Sequence, residues 1–227
     1  MSFAPSNSGA NSRTLSVVLA GGASRRMGRS KAELQLPDGR TLLERVVAEL
    51  LPISGAVAIS VAATDIKVRS KIAGCATIAD SRKDCGPCAG VEAALFWAGE
   101  RGFDWVLTLP VDLPFLPTPW LGQTQKNAAK SGALAGYLIA RDGAEAQLCG
   151  AWSAHAAAKT SAYLNDGGRS VLGLHQVLGS LAVCASDFAD WDAYPHALHN
   201  LNYPEDWEQA QAIMQALGQS PGARRVT

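Results

Sequence analysis

The sequence lacks any apolar run that approaches the roughly 20 residues of a membrane-spanning helix. Its first dozen residues are small and polar, without the apolar centre of a signal peptide. An excess of one charge is missing too, because 20 Lys and Arg residues balance 20 Asp and Glu residues. No global field therefore attracts the chain to nucleic acid or to an anionic membrane. We expect a cytoplasmic protein with neither nucleic-acid nor membrane partners.

Cysteine and histidine are scarce. Five cysteines, an odd number, predict buried thiols and no disulfide framework. Cys75, Cys85 and Cys88 lack the second paired Cys/His unit of a zinc site. The four histidines have no serine or acidic partner at a spacing that would indicate a catalytic site, so we expect structural or surface roles for them.

Residues 85–88 read Cys-Gly-Pro-Cys, which thioredoxin-like oxidoreductases display at a helix start. Here Asp84 precedes the motif, where those proteins carry an aromatic residue, and its charge would raise the thiol pKa. Two hypotheses therefore stand: a thiol oxidoreductase, or two ordinary cysteines in a Gly-Pro turn before a helix.

Strand-like and helix-like patterns alternate along the 227 residues. This alternation predicts a three-layer α/β/α fold with a mostly parallel, Rossmann-like sheet. We expect one domain over residues 14–217, a flexible leader over 1–13 and a flexible tail over 218–227. Thr41 and Glu44 resemble a capping box, and Pro204 suits the first turn of the last helix. The predicted strands are 16–19, 56–61, 75–79, 105–109, 133–140 and 181–184; the helices are 41–51, 65–72, 91–100, 119–130, 155–164, 169–178 and 203–217; a hairpin is predicted over 146–152.

Residues 19–31 are the most informative stretch. They follow an apolar run and combine a glycine turn with three arginines and a lysine, and they read Leu-Ala-Gly-Gly-Ala-Ser-Arg-Arg-Met-Gly-Arg-Ser-Lys. A buried strand that runs into a glycine turn rich in cations is suited to holding phosphates. The spacing is neither that of a Walker loop nor Gly-x-Gly-x-x-Gly.

Two aspartates also stand where strands should end. Asp80 directly follows the predicted strand 75–79, and Asp112 lies just beyond the strand 105–109. Ligands bind at the carboxyl ends of parallel strands, so we expect both to lie near the 19–31 loop. One or two carboxylates are enough for Mg²⁺, which keeps water and phosphate oxygens in the rest of its shell. The alternatives are a helix cap or turn former for Asp80 and an Asx-turn residue for Asp112.

The sequence resembles the molybdenum cofactor guanylyltransferases, the MobA family of nucleotidyltransferases. Residues 19–31 match the family's Leu-Ala-Gly-Gly-x-Ser-x-Arg-Met-Gly-x-x-Lys pattern. Asp80 with Gly-Pro-Cys-Ala-Gly at 86–90 resembles its Asp…Gly-Pro-Leu-Ala-Gly segment. Pro-Val-Asp-Leu-Pro at 110–114 resembles its metal-binding strand end, and Asn-Leu-Asn-Tyr-Pro-Glu-Asp at 200–206 resembles its Asn-x-Asn-Thr-Pro-Glu-Asp segment.

The resemblance implies an enzyme that uses GTP with Mg²⁺, or Mn²⁺, and joins GMP to the phosphate of molybdopterin, releasing pyrophosphate. It further implies, as partners, other cofactor-biosynthesis proteins or the molybdoenzymes that accept the product. Carried over by position, it gives backbone or side-chain contacts to the nucleotide from Leu19, Ala20, Gly21, Gly22 and Asp80, triphosphate contacts from Arg26 and Lys31, a metal ligand in Asp112, and pterin-side residues in Asn200 and Asn202.

The sequence departs from the family pattern at three places. Residues 60–63 lack the asparagine that often ends the second strand, Tyr203 replaces a threonine, and the usual His-Pro pair is replaced around residues 146–148. Relatives that use CTP usually read Leu-Ala-Ala-Gly, so Gly21 and Gly22 favour GTP. The alternatives are a transferase that uses CTP or another phosphorylated acceptor, and a non-catalytic nucleotide or cofactor binder.

Overall fold

The computed structural model describes residues 13–21, 30–62, 74–80, 82–140 and 145–219. Most of the predicted leader and tail, the predicted helix over 65–72 and residues 22–29 of the glycine-rich loop lie outside the described residues. No described helix combines the length and the apolar character needed to cross a membrane.

Strands and helices alternate as the sequence predicts. The strands are β1 (Thr14–Leu19), β2 (Ala56–Val61), β3 (Ala76–Ala79), β4 (Trp105–Pro110), β5 (Ala135–Ile139), β6 (Glu145–Ser153) and β7 (Leu181–Cys184). The helices are α1 (Leu42–Leu50), α2 (Pro87–Glu100), α3 (Thr118–Ser131), α4 (Ala157–Asn165), α5 (Val171–Leu178) and α6 (Pro204–Gln219).

The strands form one seven-stranded sheet in the order β3-β2-β1-β4-β6-β5-β7. β6 runs antiparallel to both of its neighbours, β4 and β5, and every other pairing is parallel. The N-terminal end of β6 therefore lies at the same edge of the sheet as the carboxyl ends of the parallel strands.

Helices cover both faces of the sheet, because successive side chains of a strand point to opposite sides. On β1, Val18 packs into a core that includes residues of α1, α3 and α6, and Leu15 and Val17 pack into a second core with residues of α2, α4 and α5. The predicted three-layer α/β/α fold is thus confirmed.

Local signals placed several helix ends correctly. Thr41 and Glu44 form the predicted capping box at the start of α1, and Pro204 opens α6. Helix α2 begins at Pro87, four residues before the predicted start at Val91, because proline suits the first turn of a helix.

The predicted hairpin over residues 146–152 is wrong, because this segment lies within the single strand β6. The strand is interrupted by a bulge: Gly150 pairs with Tyr137 and Ala146 pairs with Leu138, so residues 147–149 have no counterpart on β5. A Cβ atom at Gly150 would collide with the carbonyl oxygen of Gly136. The loosened apolar pattern that suggested a hairpin reflects this bulge and close approach.

Candidate active site

A cleft of about 1110 Å³ opens at the carboxyl edge of the parallel strands. It is bordered by the segments that follow β1, β3 and β4 and by the bulge in β6. This edge is where sheets of this kind bind ligands. The residues predicted from the sequence that line it are Leu19, Ala20, Gly21, Lys31, Asp80, Asp112 and Asn200.

Lys31 and Asp112 form an ion pair in this cleft. The Nζ atom of Lys31 lies 2.8 Å from Oδ2 of Asp112, and their side chains are 15% and 22% exposed. Lys31 opens a short 3₁₀ turn after the β1 loop, and Asp112 lies in the turn that follows β4. The turns meet because β1 and β4 are parallel neighbours, with Val111 N–H donating to Leu19 C=O.

The segment before α6 completes this end of the cleft. Lys31 Nζ also donates to the Asn202 side chain over 3.3 Å, and the Leu201 N–H donates to the Asp112 carbonyl. One oxygen of Asp206 accepts the N–H groups of Tyr203 and Asn202, and these hydrogen bonds lower the pKa of Asp206. Asp206 thereby fixes the loop that places Asn202 on Lys31.

The opposite end of the cleft contains Asp80. Its Oδ1 accepts a hydrogen bond of 3.2 Å from Ser60, the residue at this level of β2. Burial raises the pKa of Asp80, and the Ser60 hydrogen bond acts in the other direction. Gly90 of α2 packs against this hydrogen bond. A Cβ at position 90 would lie 2.8 Å from Ser60 Oγ and 3.3 Å from Asp80 Oδ1.

The backbone after β1 lies close to the second strand. Ala20 N–H donates to Ser60 C=O over 3.0 Å, and a Cβ on Gly21 would lie 3.1 Å from the backbone nitrogen of Ala62. Glycine at position 21 therefore permits this approach. Gly22 and Arg26, the remaining predicted site residues, lie outside the described residues.

Sequence reasoning missed an ion pair behind the Asp80 end. The Arg82 guanidinium, which borders the cleft, binds both oxygens of Glu92 at 2.7 and 2.9 Å. It also donates to Ser161 and Asn165 of α4, and the Glu92 side chain is only 3% exposed. The pair fastens the loop after Asp80 to two helices. A glutamate within the apolar stretch 91–95 was the available signal, because buried charges are paired.

The Cys-Gly-Pro-Cys segment does not have the properties of a redox site. Cys85 and Cys88 are both buried and both free. Burial, together with the neighbouring Cys85, raises the pKa of Cys88 to about 11. A catalytic thiol needs a lowered pKa and access to its substrate, so the geometry disfavours the oxidoreductase hypothesis.

A divalent cation is compatible with the Lys31–Asp112 end. No cluster of three or more His, Cys, Asp or Glu side chains that could hold a metal ion occurs among the described residues. Lys31 engages Oδ2 of Asp112, and within the described part of the chain we find no hydrogen bond to Oδ1. A single carboxylate of this kind suits Mg²⁺, whose other ligands are usually water and phosphate oxygens.

Comparison with known proteins gives the family. Residues 16–180 match the MobA-like NTP transferase domain. A molybdenum cofactor guanylyltransferase of Acidiphilium cryptum is 34% identical over 86% of this chain and 93% of its own length. Another from Cereibacter sphaeroides is 33% identical over 89% of this chain and 97% of its own.

A solved structure agrees with these matches. The molybdopterin-guanine dinucleotide biosynthesis protein A of Archaeoglobus fulgidus aligns with a TM-score of 0.72 and 25% identity, over 89% of this chain and 99% of its own. The chain therefore belongs to the MobA-like NTP transferase family and is a nucleotidyltransferase.

Proposed function

We propose that this enzyme transfers GMP from GTP to the phosphate of molybdopterin and releases pyrophosphate. The observation that carries the proposal is the Lys31–Asp112 pair, which shares one cleft with Asp80. Relatives that match most of the chain carry the name molybdenum cofactor guanylyltransferase. We place the reaction in the cytoplasm, with the enzymes that make or use the cofactor as partners.

The cleft suits a nucleoside triphosphate bound across the sheet edge. The backbone of Leu19, Ala20 and Gly21 would lie against the nucleotide, because the small Ala20 and Gly21 allow close approach. Lys31 would face the triphosphate, and Arg26 would do so from the loop. Asp80, which has a neutral donor and no cation paired to it in the described structure, would accept N–H donors of the nucleoside.

The chemistry needs no protein nucleophile. An oxygen of the acceptor phosphate attacks the α-phosphorus of GTP, the bond to the bridging oxygen breaks, and pyrophosphate leaves with that electron pair. The attacking phosphate is ionised at neutral pH, so no general base is required. Catalysis then rests on positioning and on stabilising charge, which Lys31 and Arg26 would supply at the leaving pyrophosphate.

Asp112 would hold Mg²⁺, or Mn²⁺ in its place. When bound, such an ion neutralises phosphate charge and orients the reacting oxygens. Lys31 balances the Asp112 carboxylate, and the same ammonium is positioned to turn to phosphate oxygens.

Asn200 and Asn202 would lie on the pterin side. Asn200 borders the cleft and Asn202 contacts Lys31, so both stand next to the end where the phosphates would meet. Amide side chains offer both donors and acceptors, as a pterin ring requires.

One assay tests the proposal. Purified protein is incubated with Mg²⁺, the molybdenum cofactor and each nucleoside triphosphate in turn, and pyrophosphate is measured. We expect release with GTP that depends on the acceptor. Selectivity for CTP would overturn the choice of nucleotide, and release with a different phosphorylated acceptor would overturn the choice of acceptor. Binding of GTP without any release would identify a non-catalytic binder.

A further inference from the structure

The bulge in β6 is held in place by two buried side chains. Thr108 of β4 donates its hydroxyl to the Leu148 carbonyl over 2.7 Å and accepts the indole N–H of Trp152. His175 of α5 lies 2.8 Å through Nε2 from the Gln147 carbonyl. Because a carbonyl only accepts, Nε2 carries the proton in this contact.

The imidazole of His175 is itself fixed on every side. Its ring stacks between Tyr137 and Trp152, with centroid distances of 4.1 and 4.5 Å. Its Nδ1 atom lies 2.9 Å from Ser180 Oγ, and the residue is 2% exposed. The nucleotidyl transfer described above uses none of these groups, although they pin a segment that lines the cleft.

The two anchored carbonyls determine how the bulge presents its amides. In a planar trans peptide, the N–H points away from the preceding carbonyl. With the Gln147 carbonyl on His175 and the Leu148 carbonyl on Thr108, the N–H groups of Leu148 and Cys149 point away from these buried anchors. Cys149 is fully buried, whereas Leu148 is partly exposed, so the packing presets one donor, the Leu148 N–H, beside the cleft.

The sheet order assigns the bulge to one side of the cleft. Asp80 follows β3 and Asp112 follows β4, while the bulge belongs to β6, on the side of β4 away from β3. If the nucleoside lies toward Asp80 and its phosphates at Asp112, the space beside the bulge remains for the acceptor. Cys149 of the bulge and Asp112 line the same cleft.

We propose that residues 147–149 form the acceptor-binding wall of the cleft and that His175 is the positioning residue that fixes it. The wall would recognise an oxygen atom of the phosphorylated acceptor through the backbone N–H of Leu148, while nucleotide binding stays with the other strand ends. This inference rests on the proposed function, since it assumes a phosphorylated acceptor.

The test compares His175→Phe with Gln125→Leu. Phenylalanine keeps a ring between Tyr137 and Trp152 but cannot bind the Gln147 carbonyl. Gln125→Leu removes a buried hydrogen bond to Thr14, on a part of α3 that does not line the cleft, and so controls for a general loss of stability. Steady-state transfer with the molybdenum cofactor gives KM and kcat, and equilibrium binding gives the Kd for GTP.

We expect His175→Phe to raise the acceptor KM about tenfold, with kcat and the Kd for GTP within about twofold of wild type. Thr108→Val should have the same pattern, and Thr108→Ser should restore the wild-type KM because it keeps the hydroxyl. Gln125→Leu should leave all three values unchanged.

Equal acceptor KM values for His175→Phe and Gln125→Leu would overturn the inference and leave the proposed function intact. A rise in the Kd for GTP that matches the rise in KM would also overturn it, because the bulge would then serve the nucleotide. A wild-type enzyme without acceptor-dependent pyrophosphate release would defeat the proposed function, and the inference with it.

Discussion

The carboxylates at the two ends of the cleft, Asp112 and Asp80, have different hydrogen-bond and charge partners. Asp112 is paired directly with an ammonium group, whereas Asp80 has a neutral hydroxyl from Ser60 and a pKa raised by burial. The cation nearest Asp80 in sequence, Arg82, is bound to Glu92 instead. The first arrangement suits phosphates and a metal ion, because phosphates can replace Asp112 as the partner of Lys31 and a metal ion can replace Lys31 as the partner of Asp112. The second suits the neutral donors of a nucleoside.

The largest effect is expected from breaking the charged end. Asp112→Ala and Lys31→Ala should each lower kcat by roughly 10²–10³, because charge at the reacting phosphates is no longer balanced. The double variant should lose little more than either single one, since the groups act as a unit. Single-turnover transfer measures this, and circular dichroism checks that each variant is folded.

Exposed residues of the same type serve as controls for that prediction. Lys126→Ala and Asp166→Ala change charge by the same amount away from the cleft and should have wild-type kcat. Near-normal transfer by either cleft variant would contradict the assignment of the charged end.

The next largest effect is expected from the Arg82–Glu92 pair, which holds the loop after Asp80. Arg82→Ala leaves the Glu92 carboxylate buried without its partner, and we expect the Tm to fall by roughly 10 °C. Arg82→Met combined with Glu92→Leu should recover most of the Tm, because apolar residues can replace a buried pair. If the pair positions the loop after Asp80, both Arg82→Ala and the double variant should bind GTP more weakly than wild type. Full recovery of GTP binding with the Tm would limit the pair to a role in stability.

A smaller effect is expected from a substitution that disturbs only the Asp80 end of the cleft. Gly90→Ala places a methyl group against Ser60 Oγ and Asp80 Oδ1, so the Kd for GTP should rise by about fivefold through loss of their hydrogen bond. Gly99→Ala in the same helix meets nothing within 4 Å and should stabilise the protein by about 0.5–1 kcal/mol without changing that Kd. Equal Kd values for the two variants would show that Asp80 does not contact the nucleotide.

The smallest effect is expected at Asp206, which fixes the loop beside the Lys31–Asp112 pair, and this effect depends on pH. The folded-state pKa of Asp206 is lowered by backbone N–H groups, so its carboxylate stabilises the fold above the ordinary pKa of about 4. This contribution is lost as the pH falls through the lowered value. Asp206→Ala should therefore cost about 1 kcal/mol at pH 7 and progressively less below about pH 4.

Urea unfolding at both pH values measures the Asp206 effect, with the exposed Glu205→Ala as control. A cost that does not change between pH 7 and pH 3 would mean that the ionised carboxylate is not what stabilises the turn.

Most of the fold was predictable because its signals are local. Apolar runs and helical periodicity gave the alternation of strands and helices, and Thr41 with Glu44 gave the start of α1. The prediction over 146–152 was wrong because a loosened apolar pattern does not distinguish a bulge from a hairpin, and only the pairing with β5 does so.

The candidate site was predictable in part for the same reason. Asp80 and Asp112 could be found because each follows a buried strand, and parallel strands end at one edge. The Ser60–Asp80 bond and the Arg82–Glu92 pair could not, because each depends on how a strand or loop packs against a helix.

The sequence by itself determined the layers of this protein, the family and the strand ends that carry polar residues, since periodicity and motif spacing are written along the chain. Only the tertiary structure decided which charges are paired, that Asp80 forms no ion pair with a described cation, and that His175 and Thr108 reach one bulge. The physical reason is that hydrogen bonds and ion pairs act over a few ångströms, between residues that the sheet order and helix packing bring together.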